Sequence, residues 1–329
     1  MKNLINKEDK IFVAGSNGMV GKAICRELVK KGYCNLLTPS RNELDLFQVK
    51  NVRKWFNKNK PSVVILAAAK VGGIYANSEY PVEFLLENLK IQNNVLETAS
   101  LTNVNRLLFL GSSCIYPKDA NQPIKEEYLM SGFLEKTNES YAIAKIAGLK
   151  LCESLRSQYN FDAISVMPTN LYGPGDNYDP ELSHVLPALI RKFTYAKKYS
   201  KDSVICWGSG SPKRDFLHVD DLANACVYLL EKWDPSSKNA PTDSKGKSLN
   251  HINIGSGKDI SIKELTLKIS KILDFKGEIL WDHSKPDGTF RKILDISHLN
   301  ALGWNSEIDL EEGLNKTINE FKDSYFDDL

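Results

Sequence analysis

The segment KIFVAGSNGMVG, residues 10–21, decides the fold of this chain. Residues 10–14 form a short apolar run typical of a buried strand, and the apolar side chains that begin at Met19 recur at helical spacing. Glycine suits the tight turn between them because of its backbone freedom, and it lets a pyrophosphate approach the helix amino terminus, where a Cβ would block it. In this context we predict a dinucleotide site, with a merely tight turn as the alternative. Its expected cofactor-binding residues are Gly15, Ser16, Asn17, Gly18, Met19, Val20 and Gly21.

Further apolar runs repeat this arrangement along the first half of the chain. They cover residues 36–38, 63–67, 107–110 and 163–167, and helix-length segments separate them. Strands that are apolar throughout and alternate with helices are typical of a parallel sheet covered on both faces. We therefore predict an α/β protein with a Rossmann-type doubly wound parallel sheet.

The chain exceeds the length of a usual single-core domain, so a smaller C-terminal substrate domain is expected beside the sheet. After Pro168 the regular alternation weakens, and proline, glycine and aromatic residues become frequent. We predict a dinucleotide-binding domain over residues 1–172, to which roughly 215–257 return, and a mainly substrate-binding domain over 173–329. Helical patterns return at 260–273 and 310–321, and the polar stretch 234–248 is assigned no function.

Composition bears on the classes of partner. A formal net charge of +2 with 26% charged residues gives no reason to expect nucleic acid or a membrane as a partner. The amino terminus lacks the apolar core of a signal peptide, and no stretch approaches the roughly 20 apolar residues of a membrane span, so a cytoplasmic protein is expected. Six cysteines lack paired metal-ligand spacing, and we expect free thiols and no metal site.

The end of the second predicted strand bears on the choice of cofactor. A carboxylate at this position typically holds the ribose hydroxyls of NAD, whereas this chain has Thr38-Pro39-Ser40-Arg41. A guanidinium with a nearby hydroxyl suits a 2′-phosphate. Arg41 therefore favours NADP, and a solvated surface arginine is the alternative.

A tyrosine and a lysine at helical spacing are the first catalytic candidates. Tyr141 and Lys145 are four residues apart, which places them on one face of a helix. We expect the ammonium to lower the pKa of Tyr141, so that the phenol exchanges a proton near neutral pH. Such a pair alone would usually be a solvated helix face. Ser112 changes this interpretation, because it follows the fourth predicted strand, where ligands bind in such sheets.

Together these features resemble the extended short-chain dehydrogenase/reductase family of nucleotide-sugar enzymes. The similar segments cover nearly the whole chain: 67–74, 110–117, 141–148, 167–174, 207–210, 216–221 and 285–289. Within the family they look like the enzymes that epimerise GDP-4-keto-6-deoxy-D-mannose at C3 and C5 and then reduce it at C4 with NADPH to GDP-L-fucose. The segment with Cys114 is the most specific, since relatives limited to 4-epimerisation or dehydration usually lack a thiol there.

The resemblance also implies a role for each catalytic residue. Cys114 would be the base and His184 the acid that move protons at C3 and C5, which the neighbouring ketone acidifies. Tyr141 would protonate the C4 oxygen and Ser112 would hydrogen-bond to it, while Lys145 would hold the nicotinamide ribose and the tyrosine. Taken alone, Cys114 would suit a buried core position, and His184 a histidine at a helix start.

The remaining binding residues follow from the same resemblance. Further cofactor contacts are implied for Lys145, Pro168, Asn170, Leu171 and His184. Substrate contacts are implied for Arg191, Lys192, Trp207, Arg214 and Lys285. Guanidinium groups chelate phosphate, and an indole lines a sugar or base. Ser16 and Asn17 stand where some relatives have His and Arg, and Lys192 replaces a second Arg, so more of the NADP preference falls on Arg41.

The implied partner is a GDP-linked nucleotide sugar. The helix with Tyr141 and Lys145 forms a dimer interface in similar enzymes, so a homodimer is expected. His218 and the pair Asp220-Asp221 look like helix-capping and packing residues, and we leave them out of the site.

Two alternatives stay open. Another nucleotide-sugar 4-epimerase or 4,6-dehydratase would share the fold and the tyrosine-lysine pair. A catalytically silent NADP-binding regulator would keep the fold without turnover.

Overall fold

A computed structural model describes residues 3–285 and 287–325 of the chain. Its strands are β1 (Ile11–Ala14), β2 (Leu36–Leu37), β3 (Val63–Leu66), β4 (Arg106–Leu110), β5 (Ala163–Pro168), β6 (Asn170–Tyr172), β7 (Ser203–Trp207), β8 (Lys213–His218), β9 (His251–Ile254), β10 (Asp259–Ser261), β11 (Glu278–Asp282) and β12 (Arg291–Lys292). Its α-helices are α1 (Met19–Lys30), α2 (Val49–Asn59), α3 (Ile74–Glu79), α4 (Pro81–Leu101), α5 (Glu139–Tyr159), α6 (Val185–Lys198), α7 (Val219–Lys232), α8 (Ile262–Ile272), α9 (Ser297–Ala301) and α10 (Leu310–Tyr325).

A parallel sheet of six strands, in the order β2-β1-β3-β4-β5-β9, forms the centre of the fold. Every residue of β1, β3, β4, β5 and β9 is buried. Successive side chains alternate between the two faces, as strand geometry requires. Ile11 and Val13 pack with α1 and α7 on one face, while Phe12 and Ala14 pack with α2, α4 and α5 on the other. The predicted doubly wound parallel sheet is confirmed.

The order of the strands reverses at β1, because β2 lies on one side of β1 and β3 on the other. At such a switch point the loops after the two neighbouring strands leave a crevice at their carboxyl ends, where ligands bind. Gly15 follows β1 there with a φ of +86°. A Cβ on Gly15 would lie 2.7 Å from the backbone nitrogen of Ala68, in the loop after β3. Only glycine therefore allows the two loops to pass this closely.

A second group of elements follows β5. β8 pairs with β10 and β12 through its first residues and with β6 through its last, while β7 pairs with β11. These strands enclose a third hydrophobic core with α6, α8 and α10, in which Phe193, Phe216 and Leu314 are buried. After β8 the chain returns to the central sheet. There α7 packs against α1, and β9 pairs with β5 at the edge of the sheet.

The structure differs from the sequence-based helix boundary near residue 260. The apolar pattern predicted a helix over 260–273, whereas β10 ends at Ser261 and α8 begins at Ile262. Ile260 pairs with Arg214 on β8, and the Ser261 hydroxyl accepts a hydrogen bond from the backbone of Glu264 as the helix cap. Ile260 thus belongs to a strand and Ser261 to the helix cap, so the helix starts only after them. The terminal helix, predicted over 310–321, extends to Tyr325.

The structure also shows the cap of α7, the course of the polar stretch 234–248 and the state of the cysteines. His218 caps α7 as predicted, since its Nδ1 accepts the backbone N–H of Asp220 at 3.2 Å. The polar stretch 234–248 folds back through a bridge between Thr242 and Ser248. All six cysteines are free thiols. Across residues 3–285 and 287–325, each helix is too short or too polar to cross a membrane.

The turn before α1 gives a test of the fold. A Cβ on Gly21 would lie 2.1 Å from the carbonyl oxygen of Gly15, and because this obstacle is backbone, the turn must distort. We expect Gly21→Ala to lower the free energy of unfolding by about 1–3 kcal/mol, measured by urea denaturation. Gly18→Ala is the matched control, since its Cβ would lie an ordinary 3.5 Å from the same oxygen. Its expected loss is about 1 kcal/mol or less, and equal losses in both variants would contradict this account.

Candidate active site

The glycine turn presents free backbone donors at the amino end of α1. Gly18 is the helix N-cap, and no side chain caps the first turn, which also contains no acidic residue. The first N–H groups of a helix attract anions because they lack partners and carry the positive end of the helix dipole. Among the residues that the structure describes, a Cβ on Gly18 would meet only the carbonyl oxygen of Gly15, at 3.5 Å. The outer side of the turn at Gly18 is therefore open to a ligand. The segment therefore fits the diphosphate of a dinucleotide.

Arg41 lies exposed beyond β2, at the side of this turn. Its guanidinium carbon is 5.2 Å from the centre of the Phe47 ring, and in the described part of the chain no carboxylate forms an ion pair with it. The hydroxyl of Ser40 donates to the carboxylate of Glu43 at 2.8 Å. Arg41 thus keeps an open cationic group, while the neighbouring hydroxyl that the sequence suggested as its helper is already engaged.

Tyr141 and Lys145 lie one turn apart near the start of α5, and both are buried, with 9% and 4% of their surface exposed. The Lys145 ammonium donates a hydrogen bond of 2.8 Å to the carbonyl oxygen of Leu110, the last residue of β4. Burial lowers the pKa of Lys145 to about 8. The pair is therefore not the solvated helix face that its spacing alone would suggest.

The ionisation of Tyr141 differs from the sequence-based expectation. Its pKa is raised, first because burial disfavours the phenolate and second because of the nearby Cys114, while a hydrogen bond with Ser112 opposes the shift. The ring packs against Phe84, with the ring centres 6.2 Å apart. The expected lowering of this pKa was wrong, because burial of the phenol is the largest cause of the shift and Lys145 does not contribute to it. Tyr141 is a protonated donor throughout the neutral range.

Ser112 and Cys114 follow β4 directly. Ser112 caps a short 3-10 helix, Ser113–Ile115, and its hydroxyl accepts the backbone N–H of Cys114 at 3.2 Å. The half-buried Cys114 packs against the cluster that contains Tyr141 and Phe84. The thiol and the phenol therefore share one environment. Cys114 is not a core residue, unlike the fully buried Cys152 and Cys226.

His184 is the N-cap residue of α6, but its side chain makes no capping hydrogen bond. The residue as a whole is exposed, while protein atoms around the imidazole ring still displace water from it. Its pKa is lowered, first by this burial and second by the positive charge of Lys292. The segment before it is packed closely, because a Cβ on Gly73 would lie 2.6 Å from the carbonyl oxygen of Ser183. The glycine pair at 72–73 therefore positions the start of α6.

Pro168, Asn170 and Leu171 lie where β5 ends and β6 begins. The side-chain amide of Asn170 donates to the carbonyl oxygen of Asp215 at 2.8 Å, which fixes its orientation. Leu171 packs against the same core as Met19 and Val20 of α1. The structure thus brings these predicted cofactor residues to the face that also bears the glycine turn.

The residues predicted to bind substrate divide into separate groups. Trp207 is 51% exposed, and the ammonium groups of Lys192 and Lys285 lie 5.0 and 5.3 Å from its ring centre. Burial lowers the pKa of Lys192. Arg191, the neighbour of Lys192 on α6, instead donates to the carbonyl oxygen of Tyr178 at 3.3 Å. The tryptophan and the two lysines form one cationic aromatic surface. Arg191 is not part of it, because its guanidinium hydrogen-bonds to the protein backbone.

Arg214 and Lys292 lie side by side on paired strands, and the sequence analysis missed the second of them. Arg214 of β8 is the register partner of Lys292 of β12. Burial lowers the pKa of Arg214, while the charges of Cys114 and Asp287 act in the opposite direction. The Lys292 ammonium lies 3.4 Å from the Cys114 sulfur. The one local signal was the basic pair Arg291-Lys292, which does not by itself indicate a site.

Comparisons with known proteins agree with this geometry. The model of the NAD dependent epimerase/dehydratase family matches residues 11–255. GDP-L-fucose synthase 1 of Arabidopsis thaliana is 51% identical over 317 residues, which cover 96% of this chain and 94% of that protein. GDP-L-fucose synthase of Escherichia coli (strain K12) is 49% identical over 314 residues, 95% of this chain and 97% of that protein.

A solved structure is similar to this chain over nearly its whole length. The structure of a GDP-mannoheptose C4 reductase from Campylobacter jejuni with NADP bound has a TM-score of 0.85 and 38% identity, covering 97% of this chain and 99% of that one. By these similarities the chain belongs to the NAD dependent epimerase/dehydratase family, and within it to the group of the GDP-L-fucose synthases.

Proposed function

We propose that the chain converts GDP-4-keto-6-deoxy-D-mannose into GDP-L-fucose, by epimerisation at C3 and C5 followed by NADPH-dependent reduction at C4. One observation carries the proposal: the Cys114 thiol packs against the cluster that contains Tyr141, and both Cys114 and the hydrogen-bonding Ser112 act on the pKa of that phenol. Reduction of a ketone needs the phenol and the hydroxyl, but it does not need a thiol. Epimerisation next to the ketone does need a base at that place.

In the epimerisation steps Cys114 acts as the base. The C4 ketone acidifies the hydrogens on C3 and C5, and the thiolate removes each as a proton while the electron pair moves to the C4 oxygen. Ser112 and Tyr141 donate hydrogen bonds to this oxygen and stabilise its negative charge. His184 then returns a proton to the opposite face of the ring carbon, and the ketone is restored. Before the second ring carbon reacts, Cys114 loses its proton to solvent and His184 takes one up, which resets the base and the acid. The lowered pKa of His184 makes its imidazolium a stronger acid, while a smaller fraction of the ring is protonated at neutral pH.

In the reduction step Tyr141 is the proton donor. Bound NADPH supplies the hydride that C4 accepts. Tyr141 gives its proton to the C4 oxygen, and its raised pKa ensures that the proton is present at neutral pH. Ser112 holds the same oxygen, and Lys145 holds the nicotinamide ribose with its ammonium.

The residues that would hold the ligands agree with this reaction. The turn from Gly15 to Gly21 fits the NADP diphosphate, and Arg41 offers an open guanidinium for the 2′-phosphate. Trp207 with its two lysines, and Arg214, suit a guanine and a diphosphate. A close structural relative with NADP bound supports the same cofactor.

We also propose a division of the chain and a setting for it. Residues 1–172 with roughly 215–257 would bind the cofactor, and most of 173–329 would bind the substrate, which agrees with the return of β9 to the central sheet. A homodimer through α4 and α5 is supported by the exposed apolar side chains of Val82, Leu86 and Ile143 on these helices. Six free thiols agree with a reducing cytoplasm.

Product analysis tests the proposed function. With GDP-4-keto-6-deoxymannose and NADPH, we expect one NADPH to be oxidised for each GDP-L-fucose formed, followed by absorbance and by NMR of the sugar. A 4-epimerase or 4,6-dehydratase recycles its cofactor and would oxidise no net NADPH. A reduced sugar with unchanged configuration at C3 and C5 would identify an enzyme that only reduces C4. Absence of any turnover would favour the alternative of a catalytically silent NADP-binding regulator.

Two variants should separate the half-reactions. We expect Cys114→Ser to stop deuterium incorporation from solvent into C3 and C5, because the serine hydroxyl is a far weaker base, while oxidation of GDP-L-fucose by NADP⁺ persists. We expect Tyr141→Phe to lose at least about 100-fold in that oxidation, while deuterium incorporation continues at a less reduced rate because Ser112 still hydrogen-bonds to the C4 oxygen. Undiminished deuterium incorporation in Cys114→Ser would remove the thiol from the mechanism.

The ionisation of Lys145 predicts a pH dependence of cofactor binding. Its pKa is lowered to about 8, so the ammonium is charged below this pH and becomes neutral above it. Hydrogen bonds from charged donors are the stronger ones, and we expect NADPH affinity to fall about fivefold between neutral pH and pH 9.5, measured by fluorescence titration. Lys145→Arg is the control, because its guanidinium stays charged and should abolish the pH effect. A constant wild-type affinity would contradict the assigned role.

A further inference from the structure

Lys292 faces the sulfur of Cys114 without a carboxylate partner. Its Nζ lies 3.4 Å from the sulfur, and the residue is half-buried. In residues 3–285 and 287–325, no Asp or Glu forms an ion pair with it. A half-buried ammonium without a counter-ion is costly unless a negative charge comes to lie beside it. The nearest group that can supply this charge is the thiolate.

The strand that carries Lys292 is held from both sides. β12 pairs with β8, and Ile293 accepts a backbone hydrogen bond from Ile124 at 2.8 Å and donates to the Gln122 side chain at 2.9 Å. Arg291, the preceding residue, turns to the opposite side and pairs with Asp259 of β10. Since side chains alternate along a strand, this pairing directs Lys292 toward the cleft. The ammonium is thus presented by a fixed backbone.

The charged and titratable groups around Cys114 come from several elements. Lys292 approaches from β12, Arg214 from β8 and Tyr141 from α5, and His184 at the start of α6 also senses the charge of Lys292. In many enzymes a catalytic thiolate pairs with a neighbouring histidine. Here a lysine stands in direct contact with the sulfur instead, which leaves His184 free to serve the other face of the sugar.

We propose that Lys292 is a positioning residue for the epimerisation half-reaction: its ammonium pairs with the Cys114 thiolate, stabilises that charge and fixes the direction of the sulfur toward C3 and C5. The inference rests on the proposed function. It differs from a role in binding the substrate's diphosphate, because a phosphate contact would serve both half-reactions equally.

Alkylation of Cys114 tests the ion pair without any substrate. Iodoacetamide reacts with the thiolate, and mass spectrometry of the peptide distinguishes Cys114 from the exposed Cys34. At neutral pH we expect Lys292→Met to slow alkylation of Cys114 by about tenfold, because the variant removes the positive charge that lies 3.4 Å from the sulfur. Lys292→Arg should restore most of the rate. Lys213→Met, an exposed cation lost from the partner strand, is the matched control and should change the rate by less than about twofold.

The two half-reactions then separate positioning from substrate binding. We expect Lys292→Met to lose deuterium incorporation at C3 and C5 by at least about tenfold in rate, with KM for GDP-L-fucose oxidation by NADP⁺ within about twofold of the wild type. An unchanged alkylation rate of Cys114 in Lys292→Met would overturn the proposal. So would a parallel loss of both half-reactions with a raised KM, which would indicate a phosphate contact. If the wild type itself fails to oxidise GDP-L-fucose, the proposed function fails, whereas the alkylation result still decides the ion pair.

Discussion

The hydrogen bond from the buried Lys145 ammonium to the Leu110 carbonyl oxygen determines the geometry of the whole site. Leu110 ends β4, so this contact ties α5 to the edge of the sheet at which ligands bind. Gly148 makes the contact possible, because a Cβ there would lie 2.5 Å from the ring of Phe109, and only glycine lets the helix approach this closely. Tyr141, one turn earlier on α5, consequently lies beside the residues that follow β4. The phenol, the hydroxyl and the thiol therefore meet because one helix is pressed against one strand end.

Burial also determines the charge state of the cleft. It lowers the pKa of Lys145 and Arg214 and raises that of Tyr141, so each shift favours the neutral form. An anionic ligand reverses the first two shifts, because it supplies negative charge where water is excluded and electrostatic attraction is strong. The same enclosure strengthens hydrogen bonds to an oxygen on which negative charge develops. A site with buried cations and a protonated phenol is thus adapted to a phosphate-bearing ketone, both when it binds and when it reacts.

Local sequence patterns were sufficient to predict those structural features that depend only on residues close together in the chain. Residues 10–21 predicted the first strand, the turn and the helix, and the spacing of Tyr141 and Lys145 predicted their shared helix face. The raised pKa of Tyr141 could not be predicted, because it depends on packing with Phe84 from another helix. The contact of Lys292 with Cys114 joins residues 178 positions apart through a two-residue strand, and no local pattern covers such a distance. Prediction from sequence therefore ends where a property depends on which elements are packed together.

The backbone of β8 explains how cofactor and substrate residues remain aligned. Asp215 lies in the middle of this strand, and its carbonyl oxygen accepts hydrogen bonds from the side chains of Thr169, just before β6, and Asn170, its first residue. Its carboxylate accepts a hydrogen bond from the Ser256 hydroxyl after β9, although burial raises its pKa to about 6. Arg214, the adjacent residue, lies on the proposed substrate side of the cleft. Because Asn170 on the proposed cofactor side and Arg214 are fixed through the same two residues of β8, a shift of one must move the other. In the proposed arrangement, the residues for the nicotinamide and for the sugar would be held by one strand, which is more rigid than a loop.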